Sequence, residues 1–274
     1  MLLKLRDRTL AGQPLPHLMG IVNVTPDSFY DGGATADAEQ AIRRSLELAE
    51  NGASVIDVGG MTAQPGVVLT PAQEAARVLP VIEGIRAAGC EAVVSVDTYR
   101  AEVAAAVLDA GADLINDHTG LSDPDLAAAV AERDGGLVVT HLGLTPKQVQ
   151  GGRYDIEPAE IATFLSERAA AAVAAGVDGG SVVVDPGLGF GKSTASDLAT
   201  LRSLPMLLEL GFPLLLACSH KEVTAEPLGL PESNLEGTAA VVAVAAYLGV
   251  QILRVHDLPM MARIATMAAL LRPA

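Results

Sequence analysis

Eight short apolar runs, each followed by an amphipathic stretch of helical length, recur along the 274 residues and predict an α/β fold, the TIM (β/α)8 barrel. Several runs, VVV (182–184) and LLLAC (214–218) among them, are continuously apolar, as parallel strands covered on both faces require. Polar residues also collect at the C-terminal ends of the runs, where a barrel of this type keeps its chemistry. A doubly wound open sheet satisfies the same alternation and is the competing architecture. No linker, low-complexity tract or second composition regime interrupts the pattern, so residues 1–274 read as a single domain.

The first strand is HLMGIVNV (17–24), followed by AEQAIRRSLELAENG, in which Ile42, Leu46 and Ala49 share one helical face and Arg43, Arg44, Glu47 and Glu50 point elsewhere. After the second strand, SVIDVGG (54–60), the next helix opens with Thr70 as N-cap, Pro71 in its first turn and Gln73 completing a capping box. Pro80 is expected to kink or break that helix. Strands three to five are AVVSVDT (92–98), LINDH (114–118) and LVVTH (137–141). Gly52, Gly89, Gly111 and Gly135 mark helix stops. The irregular stretch 142–158 reads as a long loop able to fold over the barrel mouth. Strands six to eight are SVVVDPG (181–187), LLLACSH (214–220) and ILRVHD (252–257). The longest apolar run, 238–253, is too short to span a bilayer comfortably and reads as a buried helix running into the last strand.

Half the residues are hydrophobic, enough for one large core, and 18 basic against 33 acidic residues give a formal net charge of −15. That sign argues against a general nucleic-acid or anionic-membrane binder, while leaving room for a small anion in a locally positive pocket. With no Trp and 3% aromatics, a stacking platform for single-stranded nucleic acid is not expected. Cys90 and Cys218 show neither pairing nor metal-type spacing, and no basic segment followed by an apolar one opens the chain. A reduced, cytoplasmic protein without a secretion signal is the expectation.

The strand ends deliver Asn23, Asp27 and Asp31, then Asp97, Asn116 and Asp117, His141, Asp185 with Phe190 and Lys192, Ser219-His220-Lys221, and Arg254 with His256 and Asp257. A lone Asp at a strand end is most often a helix cap, a lone His a structural one, and GLGFG a chance glycine-rich loop. Convergence on one rim changes that balance, because folding does not require it. Lys221, Arg254 and His256 follow strands seven and eight, where such barrels often hold phosphate; Asp97, Asn116 and Asp185 are expected on the opposite side. A carboxylate accepts paired N–H bonds from an aminopyrimidinone edge, and Asn both donates and accepts. The rim therefore suits a flat heterocycle joined to a phosphate-type anion.

The motifs NVTPDSFYDGG, SVDT, IND, DPGLGFGK, SHK and RVHD, in this order and spacing, resemble those of dihydropteroate synthases over essentially the whole chain. That resemblance implies condensation of a dihydropterin diphosphate with p-aminobenzoate, releasing pyrophosphate. It implies Asp97, Asn116, Asp185 and Lys221 on the pterin, and Asn23 placing Mg²⁺ on the diphosphate with Arg254 and His256. It places Phe29, Thr62, Pro65, Phe190 and Ser219 around the p-aminobenzoate, and it suggests a homodimer. Catalysis there is positioning plus electrostatics, with Asn23, Lys221, Arg254 and His256 serving the departing pyrophosphate. One loop departs from the pattern. Where the family usually reads GGESTRPG, this chain has Met61 for Glu, Ala63 for Thr and Gln64 for Arg. His220 stands for the Arg of SRK, and Gly143 for the Arg of HMRGTP. Three permanent positive charges are missing around the mouth while the pterin-side residues remain, the pattern of a divergent second-copy synthase with weak or lost activity. An active transferase, either an ordinary synthase or one with another amine acceptor, and a non-catalytic pterin-binding protein are the alternatives.

Overall fold

The computed structural model describes residues 3–10, 15–24, 33–61, 68–142, 153–232 and 234–273. An antiparallel hairpin of β1 (Leu3–Leu5) and β2 (Arg8–Leu10) precedes the barrel. Eight parallel strands follow: β3 (His17–Asn23), β4 (Val55–Gly59), β5 (Val93–Asp97), β6 (Leu114–Asp117), β7 (Gly136–Thr140), β8 (Val182–Asp185), β9 (Leu215–Ala217) and β10 (Ile252–Val255). Their order is β8-β7-β6-β5-β4-β3-β10-β9. A parallel bridge between Val184 and Leu214 joins the two ends, with the Val184 N–H donating to the Pro213 carbonyl at 2.9 Å. The sheet thus returns to itself, which no doubly wound sheet does.

Ten helices among the described residues surround it: α1 (Gly33–Glu50), α2 (Pro71–Ala87), α3 (Ala101–Asp109), α4 (Leu126–Ala131), α5 (Pro158–Ala174), α6 (Thr194–Arg202), α7 (Leu204–Leu208), α8 (Glu222–Ala225), α9 (Glu236–Leu248) and α10 (Leu258–Leu270). The 238–253 run is α9 passing into β10, and no described helix is long and apolar enough to cross a membrane. At α2 the capping box forms in both directions, the Thr70 N–H reaching Gln73 Oε1 at 2.9 Å and the Gln73 N–H reaching Thr70 Oγ1 at 3.3 Å. Pro80 does not break this helix, which runs on to Ala87. Val78, Val81, Ile82 and Ile85 are all buried on it. At about 1.5–3 kcal/mol per buried side chain, they outweigh the ~3 kcal/mol penalty of an internal proline. After α4 the left-handed residue is Asp134 (φ 53°) rather than Gly135.

Strand periodicity sorts the core. Met19, Val55, Val93, Leu114, Val138, Val183, Leu215 and Ile252 meet inside the barrel, while neighbours such as Ile56, Val94, Ile115 and Leu253 pack outward under the helices. Leu3 and Leu5 join the inner cluster, so the hairpin plugs the N-terminal mouth. A Cβ on Gly136 would lie 2.2 Å from Leu5 Cδ2. Arg6 secures the plug from outside, donating to the Leu108 and Ala112 carbonyls at 2.6 and 3.1 Å.

Candidate active site

The same period of two that fills the barrel floor builds the site. Two residues beyond Val55, Val93, Leu114, Val183 and Ile252 stand Asp57, Ser95, Asn116, Asp185 and Arg254; a further two positions reach Gly59, Asp97, His118, Gly187 and His256. An apolar floor thus gives way to a polar layer and then to the rim. Asp57, which the motif reading passed over, is fully buried and ties the layer together. Its carboxylate accepts from Ser95 Oγ at 2.6 Å, Asn116 Nδ2 at 3.0 Å and Arg254 Nε at 2.8 Å. Arg254 also brings Nη2 to 3.9 Å from Asp97 Oδ2. The expected separation of an anionic half from a cationic half therefore does not hold, because the guanidinium extends from β10 to the carboxylates of β4 and β5.

Asp185 is buried and accepts the Gly187 N–H at 2.7 Å. Burial raises its pKa, opposed chiefly by Lys221 and then by that N–H. Burial lowers the pKa of Lys221, and Asp185 is the largest opposing influence. Each charge is the other's main compensation in a site that disfavours both. Lys221 donates to the Leu188 carbonyl, and its ammonium sits 5.0 Å from the centre of the Phe190 ring. Lys192 shapes the loop instead: it is buried, pulled down to about 8 mainly by desolvation, and donates to the His141 and Gly187 carbonyls at 3.1 and 2.7 Å. Gly187 sits at φ 67°, and a Cβ there would lie 2.1 Å from the His141 carbonyl oxygen, so no other residue fits.

On the β9–β10 side, His256 Nδ1 lies 3.1 Å from Ser219 Oγ, and its ring stacks on His220 with centroids 4.8 Å apart. His220, at φ 54°, places Nε2 2.7 Å from Asp257 Oδ2. His256 is exposed at the rim, yet lost hydration, followed by His220 and Arg254, pushes its pKa down to about 4. It is a neutral donor at pH 7. His141, by contrast, is buried against Phe164 and belongs to the scaffold. Asn23 ends β3 exposed, flanking Gly59 opposite Asp97; a Cβ on Gly59 would be 3.7 Å from Asn23 Oδ1 and 3.6 Å from Asp97 Cβ. Phe29, Thr62, Ala63, Gln64, Pro65, Asp27, Asp31 and Gly143 lie outside the described residues. Met61 is within them and buried.

The family described as pterin binding enzyme matches residues 19–256. The chain belongs to this family. Inactive dihydropteroate synthase 2 of Mycobacterium leprae is 41% identical over 273 residues, covering 95% of this chain and 93% of that protein. Dihydropteroate synthase of Bacillus subtilis is 39% identical over 254 residues, covering 91% and 86%. A probable bifunctional folylpolyglutamate synthase/dihydropteroate synthase of Haloferax volcanii is 42% identical over 246 residues, and the matched part is only 29% of that longer protein. Dihydropteroate synthase of Xanthomonas albilineans, solved with 4-aminobenzoic acid, superposes with a TM-score of 0.89 at 40% identity, covering 99% of both chains. The chain is thus a dihydropteroate synthase-like member of the pterin-binding enzymes. Overall identity does not rank it with the active or the inactive relatives, since 41% and 39% differ too little to decide. The site has to carry that distinction.

Proposed function

We propose that the rim cavity binds a dihydropterin diphosphate, and that condensation with p-aminobenzoate is weak or lost. The observation that carries the binding half is the continuous polar layer Asn116–Asp57–Arg254–Asp97, with Asp185 and Lys221 in the same charged neighbourhood. In this reading Asp97, Asn116 and Asp185 meet the N–H edge of the pterin and Lys221 its acceptors. Arg254 in β10 and His256 just beyond it, successive positions of one inward phase, hold the diphosphate with Asn23. Phe190 and Ser219 border the p-aminobenzoate together with Phe29, Thr62 and Pro65.

Mg²⁺ suits this donor set only in one manner. Among the described residues no group of three or more His, Cys, Asp or Glu could hold a metal, so the ion would take most of its oxygens from substrate phosphate, with Asn23 as one protein ligand. Bound so, it would supply charge neutralisation for the leaving pyrophosphate. The protein's own part is orientation, and His256 as a neutral donor contributes direction rather than charge.

The loss of turnover rests on the mouth. Gln64, His220 and Gly143 replace three guanidinium groups, and Met61 is a buried apolar residue where the family pattern has a carboxylate. The related proteins named inactive dihydropteroate synthase 2 support a reading in which the fold outlives the activity. The test has two arms: calorimetry with 6-hydroxymethylpterin, and dihydropteroate formation from the diphosphate and p-aminobenzoate with Mg²⁺. Pterin binding with little or no product is expected. Product at the rate of an ordinary synthase would favour the active transferase, and no pterin binding would overturn the assignment altogether.

A further inference from the structure

His118 is a buried, titratable side chain at the rim to which the reading above gives no task. It lies just beyond β6, in inward phase with Leu114 and Asn116, and is 8% exposed. Its Nδ1 is 2.8 Å from Asp97 Oδ1. Its ring runs nearly parallel to Phe190, at 13° with centroids 6.1 Å apart, and meets Tyr99 edge-on at 5.7 Å. The imidazole is therefore held from two sides by aromatic rings as well as by the carboxylate.

Opposite an ionised carboxylate an imidazole nitrogen donates, so the proton resides on Nδ1. The terminal torsion of an aspartate is soft, with a broad, roughly two-fold profile, and an untethered carboxylate at a cavity edge samples many orientations. Asp97 is not untethered. One oxygen takes the His118 hydrogen bond and the other lies 3.9 Å from Arg254 Nη2, so the carboxylate plane is set by groups from β6 and β10. We propose that His118 is a positioning residue for heterocycle recognition: by fixing Asp97 Oδ1 it presents Oδ2 to the N–H edge of a bound pterin. The inference rests on Asp97 being a pterin acceptor. It places the discriminating feature one step behind the ligand, in a side chain whose own contact is with the acceptor.

The experiment separates the donor from mere bulk. An Asn at 118 places its amide N–H near the position of Nδ1, a Gln carries it out toward Nε2, and a Leu fills space with no donor. Binding of 6-hydroxymethylpterin and of inorganic pyrophosphate is measured by calorimetry for the wild type and for His118→Asn, His118→Gln and His118→Leu, with thermal midpoints recorded for each. Losing one charge-assisted hydrogen bond weakens binding on the order of tenfold. His118→Leu and His118→Gln should show that loss for the pterin alone, His118→Asn should stay within about twofold of the wild type, and pyrophosphate binding should be unchanged throughout. Pterin binding by His118→Leu equal to that of the wild type would overturn the inference while leaving the pterin site standing. So would a folded His118→Asn as weak as His118→Leu, or equal losses for both ligands. Absence of pterin binding by the wild type would instead overturn the reading on which the inference depends.

Discussion

Asp57 shows how one residue can hold a site together without facing its ligand. The burial of the Asp57 carboxylate is offset by the three donors around it. Asp57→Asn removes the charge that Arg254 answers and leaves a guanidinium only partly reached by water. Breaking such a pair from one side costs on the order of 3 kcal/mol, so a lower unfolding midpoint and weaker pyrophosphate binding are expected together. Unchanged values for both would mean that Arg254 is placed by something else. His141 carries a different signature. Burial, then Lys192, lowers its pKa to about 4 from an ordinary 6.5, so the folded protein prefers the neutral ring. Its contribution is fully present above pH 6.5 and is lost as pH falls toward 4, where the unfolded chain takes up the proton first. The gap sets a ceiling of about 3 kcal/mol. Comparing wild type with His141→Leu by chemical denaturation at pH 7 and pH 4, the difference should move in the variant's favour at the lower pH. A constant difference would assign acid sensitivity to other groups. Asp97, Asn116, Asp185, Lys221 and Arg254 are legible in the sequence as candidates because they fall near or just beyond strand ends within recognisable motifs. Asp57 and His118 are not, although the inward phase that predicts Val55 and Leu114 also predicts them. The partners of Asp57 are 38, 59 and 197 residues away and that of His118 is 21 away, and no local pattern announces such pairings.

Among the elements, the eight barrel strands and their order could be read from apolar runs and capping residues, whereas the β1–β2 hairpin could not. Two three-residue strands, Leu-Lys-Leu and Arg-Thr-Leu, give too short a period to stand out, and the burial of Leu3 and Leu5 arises only once the barrel floor exists to receive them. Pro80 reads in the sequence as a kink or a break, and the break does not occur, since local propensity yields to a buried face of four aliphatic side chains. The plug itself makes a quantitative prediction. Leu5 is fully buried, and Leu5→Ala should destabilise the fold by about 2–5 kcal/mol. Gly136→Ala alone should also destabilise, because its Cβ would sit 2.2 Å from Leu5 Cδ2 and 2.9 Å from Leu114 Cδ1. In the double variant the added methyl enters space that the leucine vacates. Denaturant titration of the four proteins should then give a double mutant more stable than the sum of the single effects. Strict additivity would mean that Leu5 and Gly136 are not in contact in solution.

At the scale of the whole molecule, the scaffold is that of a pterin-binding enzyme, and under the proposed function the motif departures at Met61, Ala63, Gln64, Gly143 and His220 act at its mouth. Folding stability and turnover can diverge under such a division, because a rim loop contributes little to the core and much to the second substrate. Restoring the family loop with Met61→Glu, Ala63→Thr and Gln64→Arg tests that division directly. Gln64→Arg returns a permanent charge and a fork of donors, and Ala63→Thr returns a hydroxyl. Met61→Glu returns a carboxylate at a position that is now buried and apolar. Arg77 already donates to the Gly60 carbonyl at 3.0 Å, so a guanidinium stands beside the chain where that carboxylate would emerge. Charge-assisted hydrogen bonds contribute roughly 1.5–3 kcal/mol each, and recovering two of them corresponds to a few powers of ten in rate. The triple variant should therefore form dihydropteroate measurably where the wild type forms little, with pterin binding unchanged between them. Gln64→Arg alone should gain less, since Met61 offers its new charge no partner. A wild type that already matches an ordinary synthase at saturating p-aminobenzoate would show that the loop tolerates its losses, and would move this chain to the active branch. A silent triple variant that still binds pterin would transfer the deficit to Gly143 or to His220, which is bonded to Asp257 and stacked on His256.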